Sequence, residues 1–212
     1  MKMTTSLKRL FSDSIFCSGL FLLLVQTTAF GQITPYKYGI SKQATGSQGA
    51  VSSAHPLASM AGLEILKQGG NAFDAAIATQ LALAVVYPGA GNLGGGGFLV
   101  AHTQKGKSIA IDYREKAPMG ANRDMYLDKD GNPLLNLSQN GHLASGVPGT
   151  VAGLFRSHQY GKLPFNQLIE PAIKLAEEGF VITAAEARSL NGSQASFIRY
   201  NTVTPVFVKT SG

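Results

Sequence analysis

The sequence predicts an α+β fold in which helical layers pack on an antiparallel sheet, and three observations carry that expectation. Two neighbouring segments, 56–68 and 71–86, have the spacing and end signals of helices. Two short apolar runs, 98–100 and 108–113, flank the turn Lys105-Gly106-Lys107. Beyond Thr150, helical spacing returns. No internal repeat and no interior linker marks a second domain.

Composition excludes several function classes. The chain has 212 residues, 44% of them apolar and only 14% charged, which is the opposite of a disordered composition. Its 25 glycines have no three-residue period, so it is not collagen-like. The formal charge is +6, but the basic residues are scattered singly, without the basic clusters and interleaved aromatics of a nucleic-acid binder.

The first 31 residues read as a secretory signal peptide. Lys2, Lys8 and Arg9 precede the apolar run Ile15 to Val25, and Ala29-Phe30-Gly31 supplies small residues before a cleavage point at Gln32. The apolar run is about a dozen residues, short of the roughly 20 that span a membrane, and Cys17 is not placed as a lipoprotein cysteine. An exported product is expected, periplasmic or extracellular, with no membrane span after signal removal. The mature chain from Gln32 keeps fifteen of eighteen basic and eleven of twelve acidic residues, a net charge of +4, and no cysteine. Disulfides, a thiolate nucleophile and cysteine metal sites are therefore excluded.

Along the mature chain, 32–49 reads as an extended leader and 50–212 as the body. Pro56 suits a first helical turn, Leu57, Ala61 and Ile65 repeat every four residues, and Gly69-Gly70 ends the helix. Asn71 is an N-cap with Asp74 in the first turn, and the apolar stretch Ala75 to Val86 predicts a buried helix ended by Pro88. Six glycines follow between Gly89 and Gly97, then the two strands and hairpin. A turn is expected at Asp130-Gly131-Asn132-Pro133. Thr150 opens a helix with Val151, Leu154, Phe155 and His158 on one side, closed by Gly161. Pro171 suits the first turn of a helix over 172–178, and Thr183 caps a last helix through Leu190. From Asn191 the pattern thins.

Several motifs fail on context. Gly89-Ala90-Gly91-Asn92-Leu93-Gly94 matches G-x-G-x-x-G, but a helix precedes it and a strand follows, the reverse of a dinucleotide site. Asp128-Lys129-Asp130-Gly131 has its glycine two positions early for a calcium loop, and Gln139 stands where a bidentate Glu belongs, so a turn is expected. His55, His102, His142 and His158 have no zinc spacing, and Ser145 near His142 lacks a nucleophile elbow. Asn136-Leu137-Ser138 and Asn191-Gly192-Ser193 are sequons.

Arg114 is the candidate substrate-binding residue. Strand alternation puts Ile109, Ile111 and Tyr113 on one face and Ala110, Asp112 and Arg114 on the other, with Asp112 and Glu115 beside the arginine. Spacing alone leaves two readings open. One is a local ion pair, the commoner case. The other is a guanidinium held by those acids and offering its fork to a ligand carboxylate.

Six segments together resemble the large-subunit region of gamma-glutamyltransferases, also called glutathione hydrolases. They are SAHPLA (53–58), GGNAFDAA (69–76), NLGGGGF (92–98), DYREKAP (112–118), SGVPGTV (145–151) and EPAIKLA (170–176). The resemblance implies an N-terminal-nucleophile hydrolase with an αββα sandwich, here in part. It implies a precursor that cleaves itself to expose a threonine, whose hydroxyl attacks a γ-glutamyl amide to form an acyl-enzyme. Water or an amino-acid or peptide acceptor then takes the glutamyl group. It also implies that Arg114 clamps the substrate's α-carboxylate, with no metal or cofactor. Expected partners are γ-glutamyl small molecules such as glutathione and the remainder of the precursor. The family's threonine-threonine-histidine start of the small subunit is not in this sequence, so the expectation is an N-terminal fragment that is inactive by itself. Two other readings are a non-catalytic exported remnant that binds γ-glutamyl compounds, and a same-fold amide acylase such as a cephalosporin acylase.

Overall fold

In this computed structural model, residues 43–201 and 208 are described. The expected signal peptide (1–31) and the first part of the leader (32–42) lie outside the described residues. Residues 43–49 form no helix or strand and are exposed.

Two helices form the centre. Helix α1, Pro56–Lys67, and helix α2, Ala72–Val86, are joined by a turn at Gly69-Gly70. His55 caps α1: its Nδ1 accepts a hydrogen bond from the Leu57 N–H at 3.2 Å, and Pro56 takes the first helical position. Asn71 and Asp74 form a reciprocal capping box on α2. As its apolar sequence predicts, α2 is buried on most sides, with Ala75, Ile77, Ala78, Leu81, Ala82 and Val86 all in the core. Small residues on α1 (Ala58, Ala61) face Ala82 and Val86 in one apolar cluster.

The carboxylate of Asp74 does more than cap. It is wholly buried and accepts the Asn71 N–H at 2.8 Å and the Lys162 N–H at 2.9 Å and 3.1 Å, one distance per oxygen. The Asn71 side-chain amide donates to the Tyr160 carbonyl at 2.7 Å. The start of α2 is thus tied to the chain that connects the next two long helices. Gly161 is required there, because a Cβ would run into Asp74 Oδ1.

Strands β1, Phe98–His102, and β2, Ser108–Asp112, form an antiparallel ribbon with Leu99 opposite Ile111. The expected second strand runs to Tyr113; β2 ends at Asp112, yet Tyr113 still exchanges backbone hydrogen bonds with Gly97 at 3.1 Å and 3.4 Å. Ile109 is buried and Ile111 half-buried while Ala110 and Asp112 are exposed, so the expected alternation holds. The turn at Asp130-Gly131 is present: the Asp128 carboxylate accepts the N–H groups of Asp130 and Asn132, which hold its pKa below the usual carboxylate value.

Helices α3 (Leu135–Gln139), α4 (Thr150–His158), α5 (Phe165–Glu178), α6 (Ala184–Gly192) and α7 (Gln194–Tyr200) follow, with a 3₁₀ turn at His142–Ala144. Three expectations are corrected. First, α5 begins at Phe165 rather than at residue 172, and Pro171 lies inside it. An interior proline costs about 3 kcal/mol. Burial of Leu168 and Ala172 in the cluster containing Ile65, Ile77 and Leu81 offsets that cost. Second, α4 is rotated from the expected face. Thr150, Gly153, Leu154 and Ser157 are buried, whereas Val151 and Phe155 are exposed, although Phe155 stacks on Phe165 at 4.5 Å. Third, α6 ends at Gly192 and α7 follows it, where thinning periodicity suggested no helix.

Two predictions follow from these contacts. Asp74→Ala removes the wholly buried acceptor of the Asn71 and Lys162 N–H groups and should lower unfolding free energy by about 1–3 kcal/mol in denaturant titration. A change below that of an exposed alanine control would refute the staple. The second concerns acid. Burial pushes the His55 imidazole below its usual 6.5, opposed only in part by the Glu186 carboxylate. Glu186 is itself held below its usual 4.5, chiefly by the Thr183 backbone N–H and hydroxyl. Both folded values are depressed, so the unfolded chain binds protons first. The stabilisation is complete above about pH 6.5 for His55 and is lost as pH falls through each folded value. The urea midpoint should therefore drop between about pH 7.5 and 5.5, and His55→Asn, which keeps a capping oxygen, should flatten that drop. A rise on acidification would contradict it.

Candidate functional site

Three of the glycine-bearing segments converge on Tyr113 and Arg114. The glycine loop crosses beneath them: a Cβ on Gly96 would sit 2.7 Å from the Arg114 Cα, so only glycine allows this approach. From the other side, Lys116 and Val147 exchange backbone hydrogen bonds at 2.8 Å and 3.1 Å, which brings 145–149 alongside the arginine. Helix α4 then starts against the same backbone, with Gly153 packed where a side chain would enter the Tyr113 ring. The Tyr113 hydroxyl lies 3.2 Å from Gln80 Oε1 on α2 and 3.4 Å from the Phe98 carbonyl oxygen. The arginine therefore stands on a backbone locked to α2, the ribbon and α4 together.

The glycine loop has a structural task of its own. Asn92 Oδ1 accepts the Gly95 N–H at 3.0 Å and the hydroxyl of the buried Thr150 at 2.6 Å. The Gly95 carbonyl accepts the N–H groups of Gly149 and Thr150 at 2.8 Å and 3.0 Å. The N–H groups of Gly149 and Thr150 at the start of α4 are thus bonded to the glycine loop.

Arg114 itself extends outward. Its side chain is 66% exposed, and its Nε stands 4.0 Å from Glu115 Oε2, a loose pair in solvent. Asp112 does not pair with the guanidinium; its carboxylate accepts the Arg114 backbone N–H at 3.0 Å. The Phe98 ring lies 5.9 Å from the guanidinium carbon, within reach of a cation–π contact. Of the two acids flanking Arg114 in sequence, one orients the backbone and one steadies the side chain. Beyond these contacts the guanidinium has no ion-pair partner among the described residues. A groove of about 630 Å³ runs from this point, with Tyr113, Arg114, Lys116, Val147, Ala152 and Arg156 along it. Its size suits a small ligand. A second hollow of about 680 Å³, between α2 and α5, is mostly apolar, with Glu115 as its one charged lining residue among those described.

The other sequence candidates stay apart. His55 caps α1, His102 pairs with Ser108 at the open end of the ribbon, and His158 Nε2 lies 2.8 Å from the Leu163 carbonyl oxygen. His142 and Ser145 meet only through a backbone hydrogen bond of 3.3 Å. Among the described residues no group of three or more His, Cys, Asp or Glu is placed to hold a metal. Sequence reasoning missed Phe98 and Arg156 as neighbours of the Arg114 site. Neither carries a local signal: Phe98 reaches the guanidinium from β1 and Arg156 reaches the groove from α4.

Comparison with known proteins agrees with the six segments. The family described as Gamma-glutamyltranspeptidase matches residues 58–212. The chain is 48% identical over 161 residues to a glutathione hydrolase proenzyme of Escherichia coli, covering 74% of this chain and 28% of that protein. It is 50% identical over 150 residues to a glutathione hydrolase proenzyme of a Pseudomonas species, covering 70% of this chain and 26% of that one. The crystal structure of Helicobacter pylori gamma-glutamyltranspeptidase superposes with a TM-score of 0.76 at 48% identity, covering 80% of this chain and 49% of the solved chain. The chain thus spans about a quarter of the curated relatives' length. The described helices and ribbon are part of an αββα sandwich of the N-terminal-nucleophile hydrolase type. With more than two-thirds of its residues matched in the order and fold of these relatives, this chain belongs to the gamma-glutamyltranspeptidase family.

Proposed function

We propose that this chain is the N-terminal part of the large subunit of an exported glutathione hydrolase, and that Arg114 binds the α-carboxylate of the γ-glutamyl donor. The observation that carries this reading is the open guanidinium of Arg114 at the head of a groove, on a backbone fixed from three sides. A planar fork recognises a carboxylate through two parallel charge-assisted hydrogen bonds. Holding the α-carboxylate there presents the γ-amide at a set distance, a gain in proximity rather than in bond-making chemistry.

The bond-making group lies elsewhere. By family likeness it is a threonine released at a new N-terminus by self-cleavage of the precursor. Its hydroxyl adds to the γ-carbonyl, its own α-amine takes the proton, and the amine of the donor leaves. Water then releases glutamate, or an acceptor amine receives the glutamyl group. The apolar N-terminal run with its small-residue end supports export through a signal peptide cleaved at Gln32.

Arg114→Ala in the intact gene product should lower kcat/KM for a γ-glutamyl anilide by about 10- to 100-fold, the worth of a lost charged hydrogen-bond pair. Arg114→Lys should recover only part of it, since an ammonium keeps the charge and loses the fork. Equal rates in all three proteins would remove Arg114 from substrate binding. If the product cleaves no γ-glutamyl amide yet binds glutamate in an Arg114-dependent calorimetric titration, the chain is instead a binding remnant. Identical null titrations would eliminate that second reading.

A further inference from the structure

We infer that Arg156 is a specificity-determining residue that recognises a second carboxylate, the one at the far end of a γ-glutamyl tripeptide donor. The inference rests on the donor reading above and extends it along the groove. Arg114 and Arg156 line the same groove, with the apolar Val147, Pro148 and Ala152 beside them. Their separation follows from helix α4. At its N-terminus, a Cβ on Gly149 would lie 2.8 Å from the Arg114 carbonyl oxygen, so the helix begins at the Arg114 backbone. Arg156 is seven residues further on, about 10 Å of helical rise. An extended three-residue chain spans about 10 Å as well. The backbone spacing of the two arginines thus matches the length of a donor whose α-carboxylate rests on Arg114 and whose terminal glycine carboxylate reaches toward Arg156.

The charges along the groove favour that assignment. Asp112 is engaged with the Arg114 backbone N–H, and Glu115 faces the Arg114 guanidinium. Both acids line the groove with Arg156, but among the described residues neither forms an ion pair with it, and its Nη1 donates to the neutral Gln159 side chain at 2.8 Å. That hydrogen bond orients the guanidinium without neutralising it. Lys116 is the other cation on the groove, but its backbone is bridged to Val147 beside Arg114, at the near end rather than a helix length away.

The test compares two donors that differ in one group, glutathione and its C-terminal glycinamide, with the intact gene product. Arg156→Ala should raise KM for glutathione about three- to tenfold and leave KM for the amide and kcat for both unchanged. Arg156→Lys should fall between, and Lys116→Ala should show no such donor dependence. Because Arg156 is exposed, these variants should keep the wild-type denaturation midpoint. Equal KM changes for the two donors, or none, would overturn the assignment while leaving the Arg114 reading intact. Cleavage of neither donor by the wild-type protein would overturn both.

Discussion

The buried carboxylate of Asp74 is the contact on which the rest of the layer depends. Full burial of an acid costs several kcal/mol unless its lone pairs are met. Here backbone N–H groups from two distant stretches, around Asn71 and Lys162, meet them. The link fixes where α5 starts relative to α2, and so where Leu168 and Ala172 enter the core against Ile77 and Leu81. Because α4 leads into the same connection, its register against Tyr113 is set as well. A capping residue at the start of one helix thereby aligns two others.

From that frame to the arginine the route is steric. Helix α2 supplies Gln80 under the Tyr113 hydroxyl, and α4 supplies Gly153 against the Tyr113 ring. The tyrosine is thus clamped, and the next residue, Arg114, leaves the ribbon in one direction. Its backbone is rigid while its side chain stays in solvent. This suits a group that must meet a charged ligand without first being desolvated or strongly paired. The loose contact with Glu115 is consistent with that balance: a tight buried pair would compete with a substrate carboxylate for the fork.

The extent of what sequence alone conveys follows from the range of each interaction. The capping box at Asn71 and Asp74, the buried character of 75–86 and the hairpin at Lys105-Gly106-Lys107 are local and were legible as such. The interior Pro171 and the rotated face of α4 were not, because burial against other helices outweighed the local preference in both cases. His55 illustrates a mixed case. Its place before Pro56 suggests a helix start, but its capping nitrogen, the contact with Phe180 and the influence of Glu186 come from the assembled fold. At the site, Arg114 was legible as a candidate, yet spacing alone favoured an ordinary ion pair over a ligand clamp.

What the sequence determined by itself was therefore the α+β class, the central helix pair with its caps, the hairpin and the family likeness in six ordered segments. Each rests on composition or on residues within a few positions of one another. Only the tertiary structure decided which acid does which task beside Arg114. It also decided that Gly96 and Gly149 serve close approach to the backbone of Tyr113 and Arg114, and Gly97 and Gly153 close approach to the Tyr113 ring. Finally, it placed Arg156 on the same groove. The last two outcomes depend on segments about 20 to 40 residues apart meeting within a few ångströms, a fact that no local pattern encodes.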